Sequence, residues 1–370
     1  MRPHSSKLAF RFSSFCASLL TFVISPLLVL PGCNPAQPAG GAAGGGKKQA
    51  SQSLTPNQAE KAKELLGGSG SKGLTKIKLL LNWYPEAEHG GFYAAKADGI
   101  YEKYGLDVEI VPGGKSTVVP QELVLGRVQF GVGNADDVLI ARNQDIDLVA
   151  LMAPIQDGPR CILTRKDSDI DSFEKLKNVK LQIDSSRPYV PFLKSKGLIA
   201  DNVEVVPYFG SVAQVVADKN FACQGYNFSE PFMARQQGVE VNELMMSTIG
   251  YNPYASLLIT TSQYIKSDES ICKKMVQASI EGWQKYLESP DEANKIILSQ
   301  NKQGLEKAAL DYGVIALKQL CIPASKDASI IGDMTQARWD DLHKTLSELK
   351  IIDPSKVTVN DAFTLQFLKK

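Results

Sequence analysis

Residues 81–96 read LNWYPEAEHGGFYAAK. An apolar run over residues 77–83 leads into this stretch, and a helical pattern over residues 91–104 leads out of it to a stop at Gly105. The run has the length and apolar density of a buried strand, and the pattern has the spacing of a helix with one apolar face. Residues 107–111 return as a strand with Val108 and Ile110 on one side. A strand-to-helix turn needs little more than a cap, yet this one carries Trp83, Tyr84 and His89, one of only three histidines in the chain. Aromatic and polar side chains at the carboxyl end of a strand suit the ligand-binding edge of an open α/β sheet.

The alternation continues outward from there. Residues 128–133 and 148–153 read as strands with a helix from about Ala135 between them. A second series has strands at residues 179–183, 203–206 and 222–226, with helices at 188–196, 211–219 and 229–238. Asp171 and Glu174 have capping-box spacing at the start of this series. Residues 256–261 form a last strand, and the chain is mostly helical from residue 269 onward. Such alternation predicts α/β architecture with parallel sheets and right-handed crossovers. Chain crossings near residues 158–163 and 251–258 divide it into two lobes on a double hinge, with a ligand cleft between them. Residues 76–159 with 255–370 are assigned to the first lobe and residues 160–254 to the second.

The N-terminus concerns location. Residues 1–11 hold Arg2, Lys7 and Arg11 and no acid, residues 12–30 are almost wholly apolar or small, and Leu30-Pro31-Gly32-Cys33 follows. A basic head, an apolar core and a small-residue cleavage site make an export signal, here residues 1–32. LPGC resembles a lipobox, which makes Cys33 the expected lipidation site. Residues 33–75 are rich in Gly, Ala, Ser, Gln and Lys and are read as a flexible tether. The expected product is an anchored protein on the outer face of a bacterial membrane or in the periplasm.

Removing the signal moves the formal charge from +1 to −2, and no block of like charge remains. Nucleic acid is therefore not an expected partner. Beyond Cys16 and Cys33, the cysteines are Cys161, Cys223, Cys272 and Cys321, with no metal-ligand spacing. Disulfides and free buried thiols both remain open for these four, and no metal is expected.

The run LNWYPEAEHGGFYAAKADGIYEKYGLDVEI, residues 81–110, resembles the opening of periplasmic solute-binding proteins of ABC importers related to thiamine-pyrimidine binding and synthesis. The shared positions are Leu81, Asn82, Trp83, Pro85, His89 and the Gly105-Leu106-Asp107-Val108 strand start. A glycine-framed strand, Gly126 to Gly131, and Glu230-Pro231-Phe232 followed by Ala234 and Gly238 extend the similarity to about residue 287. The resemblance implies a two-lobed periplasmic-binding-protein fold of type II, a small-molecule ligand, an ABC permease as partner, and a monomer. The family also holds self-consuming synthases with a pyridoxal-phosphate lysine, a reactive histidine four residues on, and a cysteine cluster for iron. Those positions align with Gly133, Asp137 and the cysteine-free residues 248–258. The amine and metal ligands that such chemistry needs are missing, so no cofactor and no enzyme activity are expected.

The candidate ligand contacts follow from strand ends and the resemblance. Trp83 and Tyr84 offer faces for a flat heterocycle or merely cap the core. His89 is either a ligand contact or the partner of a loop carbonyl. Among Asn134, Asp136 and Asp137, one is expected to cap a helix and another to face the cleft. Asp157 lies at the first crossing, Tyr254 at the second, and Ser185, Ser186 and Tyr189 at the matching junction of the second lobe. Glu230 either favours its own helix N-terminus or accepts from an amino group. The favoured ligand is a thiamine-precursor aminopyrimidine. The alternatives are riboflavin or an oxyanion such as nitrate, a sulfonate or taurine, for which Arg160 and Arg187, both read as loop residues, are the available cations. A sensory ectodomain with the same fold is a further reading.

Overall fold

A computed structural model describes residues 73–368. The expected export signal, the expected lipidation site Cys33 and most of the expected tether lie outside the described residues. β1 begins at Thr75, the last residue assigned to the tether.

Two five-stranded sheets organise these residues. The first has the order β2-β1-β3-β10-β4, with β1 Thr75–Leu80, β2 Leu106–Val111, β3 Phe130–Gly133, β4 Leu148–Met152 and β10 Leu257–Thr261. The second has the order β7-β6-β8-β5-β9, with β5 Arg160–Arg165, β6 Lys180–Ile183, β7 Glu204–Pro207, β8 Phe221–Tyr226 and β9 Val241–Met245. β1 pairs in parallel with β2 and β3, and β6 with β7 and β8.

The expected all-parallel sheets are in fact mixed. β10 runs antiparallel to β3 and β4, and β5 runs antiparallel to β8 and β9. Apolar alternation records burial and is blind to strand direction. Residues 160–163, read as part of a crossing, belong to a strand, and β9 and the short helix Val119–Val124 were not anticipated.

The helix expected over residues 91–104 is two helices, Gly90–Ala97 and Ile100–Lys103. Gly99 breaks it with φ +66°, and Gly105, at φ +80°, turns the chain into β2.

The glycine pair after His89 has a packing cause. Helix Gly90–Ala97 lies directly on helix Glu269–Glu288, whose Trp283 and Tyr286 are fully buried. A Cβ at Gly91 would stand 2.1 Å from Trp283 Cγ, and one at Gly90 2.0 Å from the Tyr286 ring. The approach is reciprocal, because a Cβ at Gly282 would stand 2.4 Å from the Gly91 carbonyl. This tight pair holds the loop before it, residues 81–89, at the carboxyl end of β1.

The chain passes between the sheets twice, after β4 and before β10. Ile155 and Ala255 form a bridge between the two passages. Arg338, in helix Gln336–Glu348, fastens both. Its Nη1 donates to the Gln156 carbonyl, its Nε to the Asn252 carbonyl (2.8 Å) and its Nη2 to Asn252 Oδ1 (2.8 Å). Asn252 Nδ2 in turn donates to Asp157 Oδ1 (2.7 Å). Among the described residues no helix is long and apolar enough to cross a membrane.

Candidate functional site

Between the sheets lies a cavity of about 1470 Å³. It opens at the carboxyl ends of β1, β3, β6, β7 and β8, and at the amino end of β5, the strand that runs the other way. This is where open α/β sheets place ligands.

The first lobe contributes the loop after β1. Trp83 and Tyr84 line the cavity with their rings edge to face, centroids 5.2 Å apart. Glu86 and Glu88 line it beside them. Glu88 is only 2% exposed and accepts from Ser256 Oγ (3.0 Å). Burial pushes its pKa up to about 7, opposed by the Ser256 hydrogen bond and reinforced by Glu230. Burial, with Glu88 and Glu230 nearby, also holds Glu86 well above the usual carboxylate range.

The second lobe contributes Arg160, Tyr208, Tyr226 and Glu230. Glu230 accepts from the Tyr208 hydroxyl at Oε1 (2.9 Å) and from the Tyr226 N–H at Oε2 (2.8 Å). Burial still raises its pKa, and those two donors oppose the rise. Arg160 opens β5 and is not a loop residue. Its guanidinium lies over the rings of Tyr189 (4.8 Å) and Tyr226 (5.1 Å) and donates to the Tyr226 hydroxyl (3.0 Å). Aromatic contacts of this kind fix a cation in place without neutralising it.

Eight of the residues named from sequence line the cavity: Trp83, Tyr84, Asn134, Asp137, Ser185 and Glu230, with Arg160 and Arg187, the two cations considered for an oxyanion. Asn134 sits at the helix N-cap, but its side chain caps nothing. Its Nδ2 donates to Asp137 Oδ2 (3.1 Å) and its Oδ1 accepts from the Ser256 N–H (3.3 Å).

The other six do not face the cavity. His89 is fully buried beneath the loop, where Nε2 donates to Asn82 Oδ1 (3.0 Å) and Nδ1 has no partner. Burial lowers its pKa to about 3, so the ring is neutral. Asp136 is fully buried and accepts from the Tyr251 hydroxyl (2.8 Å). Asp157 is spent on Asn252 between the two passages. Ser186 is exposed and donates to Asp184 (2.6 Å). Tyr189 is fully buried, donates to Gln224 and serves as the platform under Arg160. Tyr254 lies under the Arg338 guanidinium at 3.9 Å and accepts from the Thr335 N–H (3.1 Å). Each of these six sits near a strand end, but a strand end has a cavity side and a core side.

Sequence reasoning passed over Glu86 and Glu88, although both stand in the opening stretch. Their spacing of two at a strand end was the available signal. Tyr208 and Tyr226, at the ends of β7 and β8, gave the same signal less clearly. Of the remaining cysteines, Cys161, Cys223, Cys272 and Cys321 are all free and buried.

A model of the family described as NMT1/THI5 like matches residues 86–293. The chain belongs to the NMT1/THI5-like family. Members it resembles include the formylaminopyrimidine-binding protein of Halalkalibacterium halodurans, 23% identical over 64% of this chain and 73% of that one. The riboflavin-binding protein RibY of Chloroflexus aurantiacus is 26% identical over 60% of this chain and 65% of RibY. Both relatives carry the names of binding proteins. Among solved structures, the periplasmic aliphatic sulphonate binding protein SsuA from Escherichia coli superposes with a TM-score of 0.60. It is 15% identical and covers 77% of this chain and 91% of its own. The NMT1/THI5-like chain described here thus has the two-lobed α/β fold of periplasmic solute-binding proteins.

Proposed function

We propose that this chain captures a small amino-substituted heterocycle between its two lobes and delivers it to an ABC importer, held at the membrane by a lipid on Cys33. A thiamine-precursor aminopyrimidine fits best. The observation that carries this reading is the company kept by Glu230. Three carboxylates, Glu86, Glu88 and Glu230, surround one end of the cavity beside the Trp83–Tyr84 aromatic pair. Carboxylates accept from exocyclic amino groups and ring N–H, and aromatic faces hold a flat ring.

The same company disfavours a nitrate or sulfonate. Arg160 is the cation nearest to this end, and an oxyanion drawn to it would also meet the three acids. A second reading, riboflavin, is favoured by the cavity's volume and by similarity to RibY.

Thermal-shift titration of the purified chain tests the proposal, using 4-amino-2-methylpyrimidine, riboflavin, nitrate and ethanesulfonate. A ligand at a hundredfold excess over its dissociation constant stabilises by about 2.7 kcal/mol. The expected result is a shift with the aminopyrimidine that Glu230→Gln reduces. A shift with ethanesulfonate and none with the pyrimidine would sink it.

A further inference from the structure

The cavity is lined by two kinds of side chain. Besides the acids and the Trp83–Tyr84 pair, its walls carry a group of apolar side chains. Val118, Val124 and Leu125 stand at and beside the short helix Val119–Val124 in the first lobe, with Ile140 and Ile146 behind them. Val205 and Phe209 face the same space from β7 and the loop after it.

These side chains are left open. Val118 is 54% exposed, Val124 57%, Leu125 52% and Phe209 67%. Eight large apolar side chains are exposed among the described residues, and five of them, these four and Met233, line this one cavity. Scattered exposed apolar residues need no explanation, but a cluster from two lobes around one space marks a binding surface.

The room is not merely an unclosed gap. The lobes already meet across it, through Arg187 and Asp137 (3.0 Å) and through Lys115 Nζ donating to the Phe209 carbonyl (3.0 Å). With both bridges made, about 1470 Å³ remains. Pockets for drug-sized ligands run from roughly 300 to 1,000 Å³, and one six-membered ring fills a small part of that.

We infer that the apolar wing between the helix Val119–Val124 and the β7 end is a second subsite, which takes an apolar arm or fused ring carried by the heterocycle. The cognate solute is then an aminopyrimidine extended by such an arm or ring. This rests on the reading of the acidic, aromatic end as the heterocycle site. A protein partner would not be expected to reach the wing, since its residues point from both lobes into the space that the polar end also lines.

The test pairs 4-amino-2-methylpyrimidine with its 5-benzyl derivative, each titrated calorimetrically into the purified chain and into Leu125→Ser and Phe209→Ser. Both positions are more than half exposed, so neither change threatens folding. The benzyl compound is expected to bind about tenfold or more tighter to the wild type, from the apolar surface it buries. Each substitution should remove most of that gain and leave the small compound's affinity unchanged. Equal affinity for the two compounds overturns the wing, as does a parallel loss of both in the variants. If neither pyrimidine binds, the heterocycle reading fails by itself, and the neutral dye Nile red still judges the wing. Its fluorescence gain on the wild type should fall in both variants, and an unchanged gain overturns the proposal.

Discussion

Arg187 of the second lobe reaches Asp137 of the first across the cleft, with Nη1 3.0 Å from Oδ1. Asn134 holds the other oxygen of Asp137, and Asp184 lies 3.5 Å from Arg187 Nε. Both ends of the bridge are roughly a third exposed, at 38% and 34%. An ion pair this open is worth about 0.2–1 kcal/mol. Arg187→Ala is therefore expected to leave the melting temperature nearly unchanged and to loosen closure. Small-angle scattering should show a larger radius of gyration for the variant, and ligand affinity should fall by about two- to fivefold. An unaltered radius would show that the lobes are held by other contacts.

The buried acids predict a pH dependence. Glu88 has its pKa raised from 4.5 to about 7, so the folded state holds this proton more tightly than the unfolded chain does. Its contribution to stability is then lost as pH rises from the unfolded value through about 7. Glu88→Gln keeps an acceptor for Ser256 and cannot ionise. Between pH 5 and pH 7.5 the variant should gain about 1–3 kcal/mol relative to wild type in urea unfolding. Glu86 and Glu230 shift in the same direction, so some slope should persist in the variant. A constant difference between the two proteins across this range would place an ionised Glu88 in the native state at acid pH.

Gly91→Ala tests the helix contact behind the opening loop. With Trp283 Cγ 2.1 Å from the new methyl, one helix must move. Overpacking of this kind costs about 1–3 kcal/mol, and the denaturation midpoint should fall accordingly. Because the loop carrying Trp83 and Glu88 leads into this helix, ligand affinity should fall as well. Loss of stability without loss of affinity would separate the loop from the helix that follows it.

Arg338→Ala removes three hydrogen bonds to the two passages and the cation above Tyr254. The expected cost is about 2–4 kcal/mol, because the Gln156 and Asn252 carbonyls lose a charged donor in a half-buried site. Hydrogen exchange should quicken around residues 153–159 and 251–256. Arg338→Lys should not restore protection, since one ammonium cannot span both passages. Protection regained by lysine would show that charge alone is sufficient there.

Much of the architecture was legible because burial leaves a mark on composition. β3, β4 and β10 stand as dense apolar runs, and the helices after residue 269 keep a regular apolar face. Direction and pairing leave no such mark, which is why β5 was read as a crossing and the sheets as parallel. The site divides along the same line. Trp83, Tyr84 and Glu230, singled out because aromatic and acidic residues at strand ends are unusual, line the cavity. His89 looked equally unusual, yet it faces inward and bonds Asn82, beside the helix Gly90–Ala97 that packs on Trp283. Arg160 was named only as a loop cation, for the opposite reason. Its place depends on Tyr189 and Tyr226, residues distant in sequence that only the second sheet brings together.

The fastening of both passages by Arg338 has a consequence for the order of assembly. The strands of the second lobe are contiguous, from β5 to β9, and can pair as soon as they emerge. The first sheet must wait for β10, and the angle between the lobes must wait longer, for a side chain close to the C-terminal end of the described residues. During synthesis, a nascent chain lacking helix Gln336–Glu348 holds most of the residues that line the cleft but not the side chain that ties the two passages together. The fixed angle between the lobes is thus among the last features the growing chain can acquire.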